Sequence, residues 1–214
     1  MLLYIPANLP LMPEIDHSML KDIEYGPPTA DGHHCWEMKK LVQEKLDNEF
    51  LNTYNATDIV EEFKYANPDF MEWTNYLPYK DWINIKIHYQ HRCSGVPVHV
   101  DLLQPGRDLH HYHHLYFNEP AGYRVIMSGA LDNVTYLWNE KKEKVYCNMP
   151  HDGSTNTYLM NYTTAMHGVD ADTGRGILFF QFTLDEEKHH RIIQESIKKY
   201  NDYAVRIDID ARYG

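Results

Sequence analysis

The chain has few of the features that mark secreted, membrane-bound or disulfide-rich proteins. Its 214 residues include three cysteines, Cys35, Cys93 and Cys147, which are widely spaced and form no CxxC pair. Neither a disulfide framework nor a zinc ribbon is therefore expected. No apolar run reaches the length of about eighteen residues that a membrane helix needs, and the first residues, MLLYIPANLP, lack the charged and apolar regions of a signal peptide. The sequence predicts a cytoplasmic protein without a membrane span.

Positive charge is also scarce. The chain has 20 Lys and Arg against 31 Asp and Glu, which gives a formal net charge of -11. No run of basic residues marks a local groove, so the average field of the protein would repel a phosphate backbone and nucleic acid is disfavoured as a partner. By contrast, histidine and tyrosine are abundant, with 14 and 17 residues. Histidine is the commonest metal ligand, and its arrangement decides whether that number matters.

The two ends of the chain predict helices and an extended arm. Residues 1–35 are rich in proline and turn residues and predict an arm with short elements at most. The segment WEMKKLVQEKLDNEF, residues 36–50, places its apolar side chains on one stripe and predicts an amphipathic helix, followed by a shorter helix at residues 58–65. The tail DEEKHHRIIQESIKKYNDY predicts a further amphipathic helix.

Between residues 81 and 185 the pattern changes to short strands with turn signals between them and no alternating helices. This pattern predicts an antiparallel sandwich or barrel. The last strand is apolar on both faces, which is typical of a strand buried on both sides. We therefore predict a single, mainly β domain with flanking helices, divided into an N-terminal arm and helices (1–80), a β core (81–185) and a C-terminal helix and tail (186–214). The strand segments are WINIKIHYQ, VPVHVDLL, YRVIMSGAL, VTYLWNE, KVYCNM, TYLMNYTTAMHGV and RGILFFQFTL.

A possible metal site lies in the second of these segments. On a strand, residues two apart project to the same side, so His99 and Asp101 point together while Val98 and Val100 face the packed side. His167, expected where a strand ends and a turn begins, supplies a second imidazole. Two histidines and one carboxylate form the facial triad of non-haem Fe(II) oxygenases, which leaves open positions on the metal.

An arginine follows the second histidine. Arg175 comes eight residues after His167, at the start of the last strand segment. A guanidinium grips a carboxylate with two parallel hydrogen bonds, as the far end of a metal-chelating diacid requires. Two alternatives stay open: Arg175 pairs with Asp170 or Asp172, or Arg124 is the carboxylate anchor instead.

The order H-x-D, distal His, then Arg resembles the Fe(II)- and 2-oxoglutarate-dependent oxygenase superfamily, in particular its prolyl-hydroxylase-like and small-molecule hydroxylase branches. The resemblance covers roughly residues 80–185. It implies a double-stranded β-helix, which is a cupin-like jelly roll, with His99, Asp101 and His167 as catalytic metal ligands. It also implies Fe(II), O₂ and 2-oxoglutarate as co-substrate, with succinate and CO₂ as co-products. Tyr89 and Tyr116 stand where relatives contact the co-substrate, and the acid Asp101 implies hydroxylation rather than halogenation.

The sequence leaves several alternatives open. The substrate is a small molecule or a peptide residue, and nothing specifies an oligomeric state. A non-catalytic jelly-roll binding protein and a cupin-type dioxygenase without a 2-oxo acid are the competing functions. The cluster HHYHH, residues 110–114, is interpreted as a loop facing solvent or substrate, with a second metal site as the alternative. His189 and His190 are expected to be exposed on the C-terminal helix.

Overall fold

The structure is a computed structural model of the chain. It describes residues 1–16, 18, 22–28, 34–40, 42–46, 54–59, 61–90, 96–99, 119–162, 164–170 and 175–207. Fourteen strands and three α-helices lie in these ranges. No helix of this part of the chain is long and apolar enough to cross a membrane.

The strands fall in the segments that the alternating pattern predicts, and further strands precede and follow them. In chain order they are β1 (Leu2–Pro6), β2 (Asp22–Pro28), β3 (His34–Lys40), β4 (Val42–Leu46), β5 (Tyr54–Ile59), β6 (Tyr79–Gln90), β7 (Val96–His99), β8 (Gly122–Ser128), β9 (Thr135–Trp138), β10 (Lys144–Tyr146), β11 (Thr157–Met160), β12 (His167–Val169), β13 (Arg175–Leu184) and β14 (Val205–Arg206). The helices are α1 (Glu61–Ala66), α2 (Pro68–Trp73) and α3 (Glu186–Tyr200).

The strands form two large antiparallel sheets and one small one. The main sheet has eight strands in the order β14-β1-β11-β8-β13-β6-β3-β2, and the second sheet has four in the order β10-β9-β12-β7. β4 and β5 form a separate pair. The mainly antiparallel β architecture with a few helices is thus confirmed, and the main sheet extends beyond residues 81–185 through β1, β2, β3 and β14.

The central strand β13 is apolar on both faces because hydrophobic clusters cover both. On one side, Leu178 and Phe180 belong to an outer cluster with residues of α2 and α3. On the other side, Ile177 belongs to an inner cluster that also contains Leu137 of β9 in the second sheet. A strand between two such layers is expected to carry hydrophobic side chains on both faces. The inner cluster has members in both sheets, and His167 contacts its residues Tyr162 and Ala165.

The outer cluster is covered by the helices. Phe63 of α1 and Phe70 and Trp73 of α2 are at most 3% exposed, and Phe70 stacks on Phe180 of the main sheet. The predicted C-terminal helix is confirmed as α3. It begins after Asp185, whose side chain accepts a hydrogen bond of 3.1 Å from the Lys188 backbone N–H and so caps the first turn.

The predicted helix over residues 36–50 is wrong. This region contributes β3 and β4 instead, and β3 pairs with β6 from Trp36 opposite Gln90 to Lys40 opposite Lys86. The apolar stripe describes only local preference, whereas the edge of β6 offers a row of backbone groups that need hydrogen-bond partners. The shorter helix predicted at 58–65 is present as α1 but begins at Glu61, since Asp58 still belongs to β5.

Two smaller expectations are also wrong. The segment TYLMNYTTAMHGV is divided into β11 of the main sheet and β12 of the second sheet, so His167 begins a strand and does not end one. His189 is 3% exposed, and its Nδ1 lies 2.8 Å from the hydroxyl of Tyr123. The position of His189 on the buried face of α3 follows from its spacing to Ile192 and Ile193, three and four residues on.

The burial of His189 predicts a pH-dependent stability. Burial and the neighbouring His190 lower the pKa of His189 to about 4. The unfolded chain takes up a proton near pH 6.5 and the folded chain does not. The free energy of unfolding is therefore unaffected above pH 6.5 and falls by about 3 kcal/mol as the pH drops to about 4.

This prediction is checked by urea unfolding across that pH range for the wild type and for His189→Gln. In His189→Gln, the slope of the free energy of unfolding against pH should lose the part that His189 causes. His190→Gln, which removes an exposed imidazole on the same helix, should retain most of the slope, because burial is the larger cause of the lowered pKa of His189. Equal slopes in the wild type and His189→Gln would contradict the assignment.

Candidate functional site

The two predicted metal-binding histidines lie opposite each other on neighbouring strands. β7 pairs with β12, and His99 is the residue opposed to His167. Opposed residues of an antiparallel pair project to the same face, and the two ring centroids are 4.3 Å apart. The register shifts between this pair and the next one, Val96 opposite Val169, which marks a bulge of the kind that re-aims side chains beside active sites.

The ring of His167 is fixed by its own backbone. It is 3% exposed, and its Nδ1 lies 3.0 Å from the carbonyl oxygen of Ala165. A carbonyl only accepts, so Nδ1 carries the proton and Nε2 carries the lone pair. This orientation of a histidine by a backbone carbonyl is the usual support of a metal-binding imidazole.

The spacing of the two rings fits a shared ion. Two imidazoles that bind one ion at about 2.1 Å in perpendicular positions have ring centroids about 4.5 Å apart. The observed 4.3 Å matches that arrangement. Imidazole nitrogen is a suitable ligand for Fe, Zn, Cu and Ni. His99 and His167 can therefore supply two ligands to one transition-metal ion.

Three other predicted features fall outside the described residues: Asp101, Tyr116 and the histidines of 110–114. Tyr89 lies on β6 opposite Gly176 of β13, and the structure describes only its backbone position. Among the residues that are described, no three His, Cys, Asp or Glu side chains form a metal-binding group. The third ligand thus remains the prediction made from the H-x-D spacing.

Arg175 points from the main sheet towards the second sheet. It is 8% exposed, and its Nη1 donates a hydrogen bond of 2.5 Å to Oγ1 of Thr135 on β9. Burial lowers the pKa of the Arg175 guanidinium below its ordinary value. Asp170, one of the alternative partners, instead forms an ion pair with Lys144 and accepts a hydrogen bond from Tyr146.

The position of Arg175 along the strand direction, relative to the histidines, follows from the strand register. Thr135, which binds Arg175, lies opposite Val169, and Leu137 lies opposite His167. Two residues of a strand span about 7 Å. The guanidinium of Arg175 therefore lies about 7 Å along the strand direction from the histidine pair. A short diacid that binds a metal at the histidines would extend its second carboxylate to this distance.

A buried tyrosine hydroxyl lies close to Arg175. Tyr158 of β11 is 2% exposed, and its hydroxyl has no hydrogen-bond partner among the described residues. Apart from desolvation, its electrostatic interaction is the largest influence on the pKa of Arg175. A buried hydroxyl without a partner costs roughly 1–3 kcal/mol, so a ligand that accepts its hydrogen bond would recover this loss.

The second arginine, Arg124, faces the same inner cluster. Its guanidinium carbon lies 3.5 Å from the ring centroid of Tyr162 and 4.2 Å from that of Phe179. The Tyr162 ring in turn contacts His167 edge to face, with centroids 5.3 Å apart. Arg124 is thus linked to the histidine pair through one aromatic ring, while Arg175 approaches the same pair through Thr135.

Sequence reasoning missed three residues of this site: Thr135, Tyr158 and Tyr162. The alternation of β9 and β11 could have placed Thr135 and Tyr158 on an inward face. No local signal could have paired them with Arg175, because the contacts cross from one strand or sheet to another. Tyr162 lies just after β11, in a stretch that the sequence pattern assigns to one continuous strand.

Comparison with solved structures finds 35 matching chains, two of which illustrate the similarity. One is an oxidoreductase of the 2OG-Fe(II) oxygenase family from Burkholderia pseudomallei, with 9% sequence identity and a TM-score of 0.46 over 78% of this chain and 74% of that chain. The other is OsALKBH1, with 14% identity and a TM-score of 0.36 over 74% of this chain and 83% of that chain. No family model and no curated protein matches the sequence.

The position of Tyr162 depends on the absence of a side chain at Gly122. A Cβ atom at this residue would overlap the Tyr162 ring and would lie 2.9 Å from the carbonyl oxygen of Met160. We expect Gly122→Ala to displace the ring from Arg124 and His167 and to lower the free energy of unfolding by about 1–3 kcal/mol. Chemical denaturation measures this loss.

A double-mutant cycle provides the control for Gly122→Ala. In a Tyr162→Ala background, the added methyl group meets no ring, so its effect should be much smaller than in the wild type. An unchanged effect in that background would show that the loss comes from the backbone and not from the Tyr162 contact.

Proposed function

We propose that this protein is an Fe(II)- and 2-oxoglutarate-dependent oxygenase that hydroxylates a small molecule or an amino-acid residue. The observation that carries the proposal is His99 opposite His167, with the ring of His167 oriented by its own backbone. In this proposal Asp101, two residues beyond His99, is the third ligand. The net charge of -11 favours a substrate other than nucleic acid.

We also infer that the two large sheets are the two sides of a double-stranded β-helix. From β6 to β13 the chain passes back and forth between them, apart from the β9–β10 hairpin within the second sheet, and this is the winding that such a fold requires. It also brings the inner cluster, with the histidines and arginines, between the two sides. The main sheet contains β6, β8, β11 and β13, and the second sheet contains β7, β9, β10 and β12.

Three residues between the two sheets bind the co-substrate in this proposal. Arg175 holds the distal carboxylate of 2-oxoglutarate, supported by Thr135 and by the hydroxyl of Tyr158. The guanidinium fork matches a carboxylate, and the Tyr158 hydroxyl gains an acceptor that none of the described residues provides. This assignment places the anchor at Arg175 and leaves Arg124 for another role.

The chemistry that the centre supplies when iron is bound is the conversion of 2-oxoglutarate and O₂ to succinate and CO₂, coupled to insertion of the second oxygen atom into a substrate C–H bond. The chain's own contribution is orientation and exclusion of water. Leu137, beside His167, and Ile177, two residues after Arg175, are 0% and 2% exposed. In such surroundings the charge interactions that hold the co-substrate are stronger than in water.

The histidine pair is tested by metal content. We expect His99→Ala and His167→Ala to lose stoichiometric Fe(II) and the formation of succinate from 2-oxoglutarate, because each removes a ligand. His190→Ala, which removes an exposed histidine of α3, serves as the matched control and should retain both. Retention of wild-type iron content by both site variants would refute the metal centre. A wild type that binds no iron would favour the non-catalytic binding protein.

The role of Tyr158 predicts opposite effects on stability and on binding. Tyr158→Phe removes a buried hydroxyl that pairs with no residue of the described part of the chain, so the protein without co-substrate should be equally or more stable by thermal unfolding. The same change should weaken 2-oxoglutarate binding to the iron-loaded protein by roughly tenfold, measured by titration calorimetry. Unchanged 2-oxoglutarate affinity would exclude Tyr158 from the co-substrate site.

A further inference from the structure

We propose that the inner cluster contains a row of oxidisable side chains that supplies electrons to the iron centre when no substrate is bound, and that Tyr4 is the residue oxidised at the end of this row. The proposal rests on the proposed function, because it starts from iron bound at the histidine pair. It goes beyond that function by giving the centre a protective reaction and by assigning a redox role to Tyr4, which the binding of the co-substrate does not use.

The two hydrophobic clusters differ in how easily their side chains are oxidised. Among the described residues, the inner cluster has thirteen buried members, of which six carry a phenol, a thioether or a thiol. The outer cluster has 21 buried members, of which only four are tyrosine, tryptophan or methionine. Oxidisable groups are therefore concentrated in the cluster that contacts His167. The six are Tyr4, Cys147, Met149, Tyr158, Met160 and Tyr162.

The row begins at the histidine pair. The rings of Tyr162 and His167 meet edge to face with centroids 5.3 Å apart. Met160 and Tyr158 precede Tyr162 by two and four residues, and all three side chains are buried in the inner cluster. Residues two apart on a strand share a face and lie about 7 Å from one another. An electron can therefore pass towards His167 from one side chain to the next within the protein interior.

Tyr4 of β1 joins the row from the neighbouring strand. It lies opposite Met160 in the pairing of β1 with β11, and its ring centroid is 5.5 Å from that of Tyr158. Burial is the main cause of the raised pKa of Tyr4, and interactions with Tyr158 and Tyr162 add to it. Both Met160 and Tyr158 thus link Tyr4 to Tyr162.

Tyr4 differs from Tyr158 in the hydrogen bonds of its hydroxyl group. A phenol that loses an electron also gives up its proton, so it needs a hydrogen-bond acceptor. The Tyr4 hydroxyl donates to the carbonyl oxygen of Asn148 at 2.9 Å and to the sulfur of Met149 at 3.0 Å. The Tyr158 hydroxyl has no acceptor among the described residues. Of these two tyrosines, Tyr4 is therefore the one that forms a stable neutral radical.

The row ends beneath a surface turn that carries a base. The backbone N–H of Met149 donates a hydrogen bond of 3.2 Å to Oδ1 of Asp132, and Oδ2 of Asp132 pairs with Nε2 of His151. The side chain of His151 is 68% exposed. This pair of carboxylate and imidazole can take up the proton that leaves Tyr4 and exchange it with solvent.

The proposed reaction balances in electrons and atoms. Without a substrate, the centre retains the oxygen atom that would otherwise enter a C–H bond. Two electrons and two protons convert this atom to water and leave the iron as Fe(II). Each electron comes from Tyr4, which also releases its phenolic proton and becomes a neutral tyrosyl radical. A one-electron donor in solution, such as ascorbate, returns one electron and one proton to Tyr4 after each transfer.

The test mixes iron-loaded protein with 2-oxoglutarate and O₂, without substrate or ascorbate, and freezes the sample within the first turnover. Electron paramagnetic resonance should detect a tyrosyl radical, whose hyperfine pattern collapses when the protein contains ring-deuterated tyrosine. Tyr4→Phe keeps the ring and removes the hydroxyl, so this signal should be lost. Tyr200→Phe is the matched control, because it removes the hydroxyl of an equally buried tyrosine in the outer cluster, and it should retain the signal.

Peptide mass spectrometry provides a second measurement. After repeated turnover with 2-oxoglutarate, O₂ and ascorbate, His99 and His167 should stay unmodified in the wild type and in Tyr200→Phe. In Tyr4→Phe both histidines should gain oxygen, because the centre then lacks its internal electron donor. Binding of iron and 2-oxoglutarate should be unchanged in Tyr4→Phe, which retains the ring beside Tyr158. A merely structural role for Tyr4 would lower thermal stability and change neither the radical signal nor the oxidation of the histidines.

The possible failures are distinguishable. A wild type that binds iron and 2-oxoglutarate but forms no tyrosyl radical overturns the proposal and leaves the proposed function intact. An unchanged radical signal in Tyr4→Phe, or equal oxidation of the histidines in Tyr4→Phe and the wild type, has the same consequence. A wild type that binds neither iron nor 2-oxoglutarate overturns the proposed function and the redox role of Tyr4 together.

Discussion

The candidate site depends on one interaction, the antiparallel pairing of β7 with β12. This pairing places His99 opposite His167 and turns two residues 68 positions apart into neighbours with ring centroids 4.3 Å apart. The backbone carbonyl of Ala165, which lies just before β12, then fixes the orientation of the His167 ring. A slip of one residue in this register would direct one of the two imidazoles to the opposite face of the sheet, and no shared ligand position would remain.

The electrostatics of the interior differ from those of the whole chain. The protein is acidic, with a net charge of -11, yet the cluster between its sheets includes the two guanidiniums of Arg124 and Arg175. Arg124 contacts two aromatic rings, and Arg175 donates a hydrogen bond to the hydroxyl of Thr135. Under the proposed function, the positive charge of Arg175 attracts an acidic co-substrate into an interior that differs in charge from the protein as a whole.

The erroneous helix over residues 36–50 and the correct strand at β13 show where local patterns suffice. β13 is apolar on both faces from Ile177 to Phe180, and a segment of that kind between two layers has few other solutions. The segment containing β3 has an amphipathic stripe that an isolated helix would also satisfy. Its conformation is decided by the edge of β6, beside which Trp36 pairs with Gln90. The local signal was genuine, and a non-local set of hydrogen bonds outweighed it.

The sequence by itself determined the strand segments of the core, the C-terminal helix and the positions of His99, His167 and Arg175 as inward candidates. These follow from periodicity and spacing, which are properties of a single stretch of chain. Tertiary structure alone decided that β11 and β12 belong to different sheets, that Arg175 reaches Thr135, and that Tyr162 lies between Arg124 and His167. These contacts join strands that are distant in sequence, so register and sheet order, which no local pattern encodes, determine them.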